Sequence, residues 1–375
     1  MIDLMTSNNR PEPTLADWLE RRHLDLWLLT FLSALSVIGL VVLYSASGHS
    51  LPQVLSQAER VLMGFIIMAV VAQAPSEIYR AAAPWLYGIT IILLILTLLL
   101  GTTAKGAQRW LDLGIVRFQP SEMMKLAMPL MVAAFLHQRH LPPRLTTIVI
   151  TLIIIAVPTG LIAKQPDLGT ALLVVAAGMF ALYFSGFAWK WIIGAIALVA
   201  AAAPIVWNKM HDYQRQRILT LIDPESDPLG AGYHITQSKI AIGSGGLFGK
   251  GWLNGSQAKL EFLPESHTDF IFAVYSEEFG LLGILLLLTL YLAIVGRCLF
   301  IALRAQDSFQ RLLASSLAMT FFVYIFINMG MVTGLLPVVG VPLPLVSYGG
   351  TSAVSLLTSF GILMSIQTHR KLLSK

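Results

Sequence analysis

Long apolar segments separated by short polar ones follow one another along nearly the whole chain. Each apolar segment predicts a helix, because an isolated strand could not satisfy its backbone hydrogen bonds in lipid. The second and fourth segments are short for a bilayer, so we expect them to be tilted or partly interfacial. The ten predicted spans are about 24–44, 60–74, 80–100, 121–136, 146–163, 169–185, 189–207, 269–297, 309–335 and 345–367.

Two polar segments between the spans stand apart from the short connections. Segment 101–120 is polar and amphipathic, which predicts a re-entrant or interfacial piece. A long loop at about 208–268 is rich in Gly, Asp, Gln and Arg and suggests a lid or a binding surface. The predicted organisation is an N-terminal leader, 1–23, followed by one transmembrane domain, 24–375.

Composition agrees with this pattern. Of the 375 residues, 56% are hydrophobic and 12% are charged, whereas about a quarter of the residues of a soluble domain are charged. The expected fold is an all-α polytopic membrane protein with one long extracytoplasmic loop. Lysine and arginine in the short loops favour cytoplasmic N- and C-termini. The basic residues behind the net charge of +5 are scattered over loop ends, which does not indicate nucleic-acid binding.

Asp269 is the last charge before the eighth apolar segment. A carboxylate at a membrane edge loses part of its hydration, and its proton affinity then rises, which suits proton transfer. The alternative is an ordinary helix start, in which Thr268 or Asp269 caps the first turn. This stretch alone leaves both interpretations open.

Glu122 and Lys125 are the charged pair of the fourth span. They lie three residues apart and so share a helix face on which they can pair, with Gln119 and Ser121 beside them. The pair is either a structural ion pair or a cationic and hydrogen-bonding grip on a phosphate or a sugar.

Four further features have two interpretations each. Asp167 caps the sixth span, or binds a metal or a sugar hydroxyl. Residues 211–217 offer anion donors or are a solvated charge run. Residues 243–251 resemble a phosphate-cradling loop only weakly, and a flexible turn is favoured. The Pro/Gly-interrupted segment 340–350 lines a cavity or serves packing alone.

Metal and nucleophile chemistry is narrowly limited by the residue types present. The sequence has no HExxH motif and no arrangement typical of a Ser-His-Asp triad. Its one cysteine, Cys298, excludes an internal disulfide and a cysteine metal cluster. Any bound metal is therefore expected to be a hard divalent ion held by oxygens.

Taken together, the motifs resemble those of the SEDS proteins (shape, elongation, division and sporulation), on the rod-shape branch rather than the division branch. The resemblance covers nearly the whole chain after about residue 20, with the motifs in the expected order. They are RWLD at 109–112, FQPSE at 118–122, QPDLGT at 165–170, YQRQR at 213–217, HTDFIF at 267–272 and PLPLVSYGG at 342–350.

The resemblance implies a ten-helix fold and a peptidoglycan glycosyltransferase of the bacterial inner membrane, active on the periplasmic side. Its substrate would be lipid II, a disaccharide-pentapeptide on undecaprenyl diphosphate. The family's essential aspartate falls on Asp269, its fourth-span pair on Glu122 and Lys125, and its Gln-Pro-Asp aspartate on Asp167. The family also implies a divalent cation (Mg²⁺ or Mn²⁺), a class B penicillin-binding protein as transpeptidase partner near spans eight and nine, and other elongation-complex proteins.

The expected chemistry is a single inverting displacement, which needs one base at the acceptor hydroxyl and cations on the leaving diphosphate. Asp269 is the predicted base, with a second predicted role as metal ligand. Lys125, Arg109 and the loop arginines are candidate diphosphate partners, with Glu122 orienting Lys125. The predicted substrate-binding set is Glu122, Lys125, Arg109, Trp110, Gln119, Asp167, Arg215, His267 and Ser347.

Two rival functions use the same residues. A flippase would move lipid II across the membrane, since intramembrane charges also mark translocation paths. A scaffold would recruit the transpeptidase and have no activity of its own. Nearly all candidate residues fall on one predicted side of the membrane, which favours the enzyme.

Overall fold

The computed structural model is a bundle of long helices with a small sheet at one end. It describes residues 19, 22–104, 107–112, 117–187, 230–259, 262–263 and 265–369, and a few short pieces between 188 and 229. In chain order the elements are α1 (Leu26–Ala46), α2 (Leu51–Ala72), α3 (Ser76–Leu100), β1 (Thr102–Ala104), β2 (Ala107–Asp112), β3 (Arg117–Phe118), α4 (Pro120–His137), α5 (Leu145–Lys164), α6 (Leu168–Phe184), α7 (Ala231–Gly245), α8 (Ser256–Lys259), α9 (Ile271–Leu303), α10 (Ser308–Val332) and α11 (Gly350–Thr368).

The predicted all-α polytopic class is confirmed. Seven of the described helices are long and apolar enough to cross a membrane, and α6 is a shorter apolar helix. Helices occupy nine of the ten predicted spans, and the remaining one, 189–207, lies almost entirely outside the described residues. The chain is an integral membrane protein.

The structure departs from the sequence prediction at two helix starts and within the long loop. The second helix begins at Leu51 rather than near residue 60, because the polar residues of its first turns lower the local hydropathy. The last helix begins at Gly350, five residues later than predicted. The predicted long loop contains a helix of its own, α7, which packs against α9.

Segment 101–120 forms a three-stranded antiparallel sheet in the order β1-β2-β3. Trp110 pairs with Thr102, and Leu111 pairs with Phe118. The sheet precedes α4 directly and contacts both α3 and α4. The expected interfacial piece is therefore a folded sheet, and it carries Arg109 and Trp110.

The helix α9 is broken at Gly280, whose φ of 63° and ψ of −163° are not helical. The glycine-rich segment 246–251 lies against this break and takes the place of the missing helical hydrogen bonds. Four backbone hydrogen bonds of 2.9 to 3.1 Å join the two segments: Lys250 N to Glu277 O, Gly251 N to Glu278 O, Leu281 N to Gly246 O, and Leu282 N to Leu247 O.

An ion pair adds to this connection. Glu277 is fully buried and accepts from Lys250 Nζ at 2.6 Å and from Ser256 Oγ at 2.8 Å. The backbone donors of residues 249–251 are used inside the fold, so they are not directed at a phosphate. The segment is a turn fixed to α9, and its weak likeness to a phosphate loop has a structural explanation.

Replacing Gly249 with alanine should destabilise the protein. Its φ is 81°, where an L-residue costs about 1–2 kcal/mol, and a Cβ atom there would collide with the carbonyl of Glu278. Gly243, near the end of α7, has open space at its Cβ position and provides a matched control. We expect a clearly lower thermal unfolding midpoint in detergent for Gly249→Ala than for Gly243→Ala. Equal midpoints would show that the segment moves away from the α9 break without cost.

Candidate active site

A groove of about 850 Å³ opens at the end of the bundle that carries the sheet. Its walls come from α2, the sheet, α4, α6, the segment 340–350 and the start of α11. Five residues of the predicted substrate-binding set line it together: Arg109, Trp110, Gln119, Glu122 and Asp167. The segment 340–350 therefore lines a cavity, as one of its two interpretations predicted.

One wall is held by hydrogen bonds around Asp167. This carboxylate is buried and caps α6, accepting from the backbone N–H of Thr170 at 3.3 Å through Oδ1. Its other oxygen accepts from Gln119 Nε2 at 3.1 Å. Arg109 donates to the backbone carbonyls of Gln165 and Pro166, so its guanidinium is partly used in bracing the wall. Asp167 is thus both a helix cap and a groove residue.

The predicted pair of the fourth span is formed. Lys125 Nζ lies 2.6 Å from Glu122 Oε1, and the two residues are only 8% and 7% exposed. Lys125 Nζ also donates to Tyr324 OH at 2.9 Å, and Glu122 Oε2 accepts from Ser355 Oγ at 2.8 Å. A further hydrogen bond of 2.9 Å joins Tyr324 OH and Ser352 Oγ. The network ties α4 to α10 and α11 at the floor of the groove.

Tyr324, Ser352 and Ser355 are site residues that the sequence reasoning missed. They lie in spans nine and ten, where single tyrosines and serines are common and no charge marks them. The sequence does show that Ser352 and Ser355 are three residues apart, and this spacing places both serines on one face of a helix.

Asp269 lies beside the groove, directly before the N-cap position of α9. The N-cap position is Phe270, and no side-chain cap bond is present, while Thr268 Oγ1 donates to Glu265. Thr268 therefore does not cap the helix, and Asp269 lies one residue before the N-cap position. Asp269 Oδ2 lies 3.5 Å from the position that a Cβ atom on Gly340, a groove-lining residue, would occupy.

Asn328 of α10 fixes the backbone around Asp269. Its buried side chain donates through Nδ2 to the carbonyl of Asp269 at 2.9 Å and to that of Val341 at 2.7 Å. These two bonds join the segment before α9 to the segment 340–350, which forms the groove wall. Asn328 is therefore a positioning residue that sequence reasoning did not find.

His267 and Ser347 brace the same two segments. Ser347 is buried; its hydroxyl donates to the carbonyl of Thr268 at 2.6 Å and accepts from the backbone N–H of Leu343 at 2.7 Å. The carbonyl of His267 accepts from the backbone N–H of Tyr348 at 2.9 Å. Neither His267 nor Ser347 lines the groove, so the structure gives each of them a bracing role. Their contacts with the substrate stay predictions.

Arg215 is not brought to the groove. It donates to the carbonyls of Trp207 and Asn208, both at 2.8 Å, at the start of the long loop. The rest of the candidate anion-binding run, 211–214 and 217, lies outside the described residues.

Replacing Asn328 with leucine should lower both stability and activity. The change keeps the size but leaves two buried carbonyls without a donor, each at a cost of about 1–3 kcal/mol. Thr333→Val, at the C-cap of the same helix, removes a hydroxyl that donates only to carbonyls of α10 and is the matched control. We expect Asn328→Leu to lower the unfolding midpoint and the rate of glycan formation more than Thr333→Val does. An unchanged rate would show that Asp269 does not need this brace.

Comparisons with known proteins place the chain in a family. The model of the FtsW/RodA/SpoVE cell cycle proteins matches residues 25–372. Peptidoglycan glycosyltransferase MrdB of Escherichia coli is 56% identical over 99% of this chain and 100% of its own length. The probable peptidoglycan glycosyltransferase FtsW of Trichlorobacter lovleyi is 37% identical over 93% of this chain and 94% of its own length.

Solved structures agree with these relatives. The rod shape determining protein RodA of Thermus thermophilus superposes with a TM-score of 0.71 at 27% identity, covering 92% of this chain and 98% of its own. A chain of a peptidoglycan synthase complex, described for its coordination of polymerization and crosslinking, gives a TM-score of 0.82 at 28% identity, covering 92% and 99%. The chain belongs to the FtsW/RodA/SpoVE family of cell cycle proteins, the SEDS family that its motifs resemble.

Proposed function

We propose that the groove polymerises lipid II into β-1,4-linked glycan during cell elongation and maintenance of rod shape. The chain is a peptidoglycan glycosyltransferase, by its family and by its 56% identity with a protein of that activity over 99% of its length. The observation that carries the proposed chemistry is the position of Asp269 at the edge of a groove lined by Arg109, Glu122 and Asp167.

In the proposed reaction, the 4-hydroxyl of a glucosaminyl sugar attacks the anomeric carbon of a muramyl sugar. The bond from that carbon to the α-linked diphosphate breaks, the β-1,4 bond forms, and the diphosphate leaves with the bonding electrons. Asp269 takes the proton of the attacking hydroxyl. Base catalysis contributes about 10²–10⁴-fold, so orientation of the two sugars and stabilisation of the leaving diphosphate must supply the rest.

The groove is proposed to face the periplasm. The described ends of the chain lie at the opposite end of the bundle, because α11 starts at the groove and runs away from it. His369, after α11, stacks on His23, before α1, with ring centroids 3.8 Å apart. If both termini are cytoplasmic, as the loop charges predict, the groove opens on the side where lipid II is polymerised.

A divalent cation, Mg²⁺ or Mn²⁺, is proposed as a cofactor. No group of three or more His, Cys, Asp or Glu residues that could hold a metal is found among the described residues. Without such a cluster, the described residues cannot surround an ion by themselves. Isolated carboxylates such as Asp269 fit the way Mg²⁺ commonly binds, through one or two carboxylates, waters and substrate phosphates. Asp269 would be the protein ligand, and the ion would add positive charge beside the leaving diphosphate.

A class B penicillin-binding protein is proposed as partner, with other elongation-complex proteins. A structural neighbour of this chain belongs to a complex that coordinates polymerization and crosslinking. An apolar depression between α9 and α10, lined by residues such as Leu288, Leu292 and Phe326, supports docking of a transmembrane helix at spans eight and nine.

The test is lipid II polymerisation by the purified chain, alone and with the partner, before and after metal removal. Glycan chains on a gel are the expected product, and EDTA should abolish them until Mg²⁺ or Mn²⁺ is restored. Transfer of fluorescent lipid II across liposomes without glycan would instead support the flippase. Normal glycan from a complex whose SEDS chain lacks the charges of Asp269, Glu122 and Lys125 would support the scaffold.

A further inference from the structure

Arg60 is a groove-lining cation that none of the motifs includes. It lies on α2, is half-buried, and places its guanidinium carbon 5.2 Å from the ring centroid of Tyr348 in the wall segment 340–350. Its aliphatic stem crosses the start of α11, where a Cβ atom on Gly350 would collide with it. Arg60 is thus held in place by packing and by a cation–π contact.

Two other cations at the groove, among the residues that the structure describes, are already bonded within the protein. Arg109 donates to the carbonyls of Gln165 and Pro166. Lys125 is paired with Glu122 and also bonded to Tyr324 OH. Arg60 differs, since within the described part of the chain it has no carboxylate within ion-pair distance and no hydrogen-bond acceptor.

A stacked guanidinium keeps its N–H edge available. The ring of Tyr348 covers one face of Arg60, and the five N–H donors lie in the plane of the group, where they can grip two phosphate oxygens at once. When a lipid-linked substrate fills the groove and excludes water, an unpaired guanidinium loses its hydration at a cost in free energy. The missing acceptor is therefore expected to come with the ligand.

We infer that Arg60 binds the diphosphate of the polyprenyl-linked substrate in the groove. This inference rests on the proposed function, because it takes the groove to be the site for a lipid diphosphate. Arg60 adds a positive charge to those that the sequence motifs assigned to Arg109 and Lys125. Those two residues also brace the wall and the floor, whereas the N–H edge of Arg60 is available to meet the phosphate oxygens.

The test measures binding as well as turnover. The full chain in nanodiscs is titrated with fluorescent undecaprenyl diphosphate and, separately, with undecaprenyl monophosphate. Arg60→Gln should weaken diphosphate binding about tenfold or more, as expected for charge-assisted hydrogen bonds, and should weaken monophosphate binding by a smaller factor. Arg60→Lys keeps the charge without the planar fork and should fall between Arg60→Gln and the wild type.

Glu59→Gln is the matched control, since Glu59 is exposed, adjacent in sequence and absent from the groove wall. It should leave diphosphate binding and polymerisation unchanged. Wild-type diphosphate affinity in folded Arg60→Gln, or in Arg60→Lys if the glutamine variant does not fold, would overturn the inference. Equal weakening for both lipids would also overturn it, because the diphosphate would then not be what Arg60 recognises.

The failure of this inference and that of the proposed function are distinguishable. A wild-type chain that binds undecaprenyl diphosphate through Arg60 but makes no glycan would support the inference and refute polymerisation. A chain that makes glycan at the same rate with and without the Arg60 guanidinium would support polymerisation and refute the inference.

Discussion

Replacing Asp269 with asparagine is expected to reduce lipid II polymerisation at least about a hundredfold while the protein still folds. Asparagine has nearly the same shape, but its amide cannot take the proton of the acceptor hydroxyl. The backbone of residue 269 is held by Asn328 through the carbonyl, and that hydrogen bond does not need the carboxylate. The loss should therefore appear in glycan formation by the purified protein, with the thermal unfolding midpoint and partner binding retained.

Glu77→Gln is the matched control for this change. Glu77 lies in the first turn of α3, at the end of the bundle away from the groove, and is exposed. It should lose no polymerisation activity. Normal glycan from a folded Asp269→Asn variant would refute the assignment of Asp269 as the base.

The sequence was most informative where charge interrupts apolar segments. Glu122, Lys125, Asp167 and Asp269 are expensive to place in or near lipid, so each had to have a partner or a function. The structure pairs the first two directly, places Glu122 and Asp167 in the groove and Asp269 at its edge, and bonds Lys125 to the lining residue Tyr324. The helical class followed from the same physics, since a chain this apolar must satisfy its backbone within each span.

What the sequence could not supply is long-range pairing. The break of α9 at Gly280 is hidden within a long apolar run, and its compensation comes from residues 246–251, about thirty positions earlier. The hydropathy of the sequence reveals neither the helix break nor the segment that compensates for it. Segment 101–120 likewise looks interfacial, because three short strands without a clear alternation carry too few residues for a period-2 signal.

The assignment of cations shows the same limit at the site. Arg109 and Lys125 were the natural diphosphate partners because they belong to motifs. Only the tertiary structure shows that the first braces backbone carbonyls and the second is paired with Glu122, whereas Arg60 stacks on Tyr348. Which charges a fold neutralises internally depends on contacts between distant segments, and residue spacing along the chain does not contain them.

Removing Lys125 alone should cost more stability than removing the whole pair with Glu122. In Lys125→Met the carboxylate of Glu122 stays buried, with the Ser355 hydroxyl as its remaining described hydrogen-bond donor. Breaking a buried ion pair from one side typically costs about 3–5 kcal/mol, whereas replacing both partners with uncharged residues of similar size is often close to neutral. We therefore expect Lys125→Met to unfold at a much lower temperature than Glu122→Gln/Lys125→Met.

Activity of the double variant decides between the two interpretations of the pair. We expect Glu122→Gln/Lys125→Met to recover most of the stability yet to polymerise lipid II at least about tenfold more slowly. Hydrogen bonds to charged groups contribute about 1.5–3 kcal/mol each, and the double variant would lose those that the pair makes with the substrate. The control is a second ion pair at the opposite end of the bundle, between the buried Asp25 and the partly exposed Arg297, joined at 2.5 Å. Asp25→Asn/Arg297→Met should leave the rate unchanged once the protein is folded. A Glu122→Gln/Lys125→Met variant as active as this control would make the fourth-span pair a structural ion pair, and the floor of the groove would then hold the bundle together without touching the reaction.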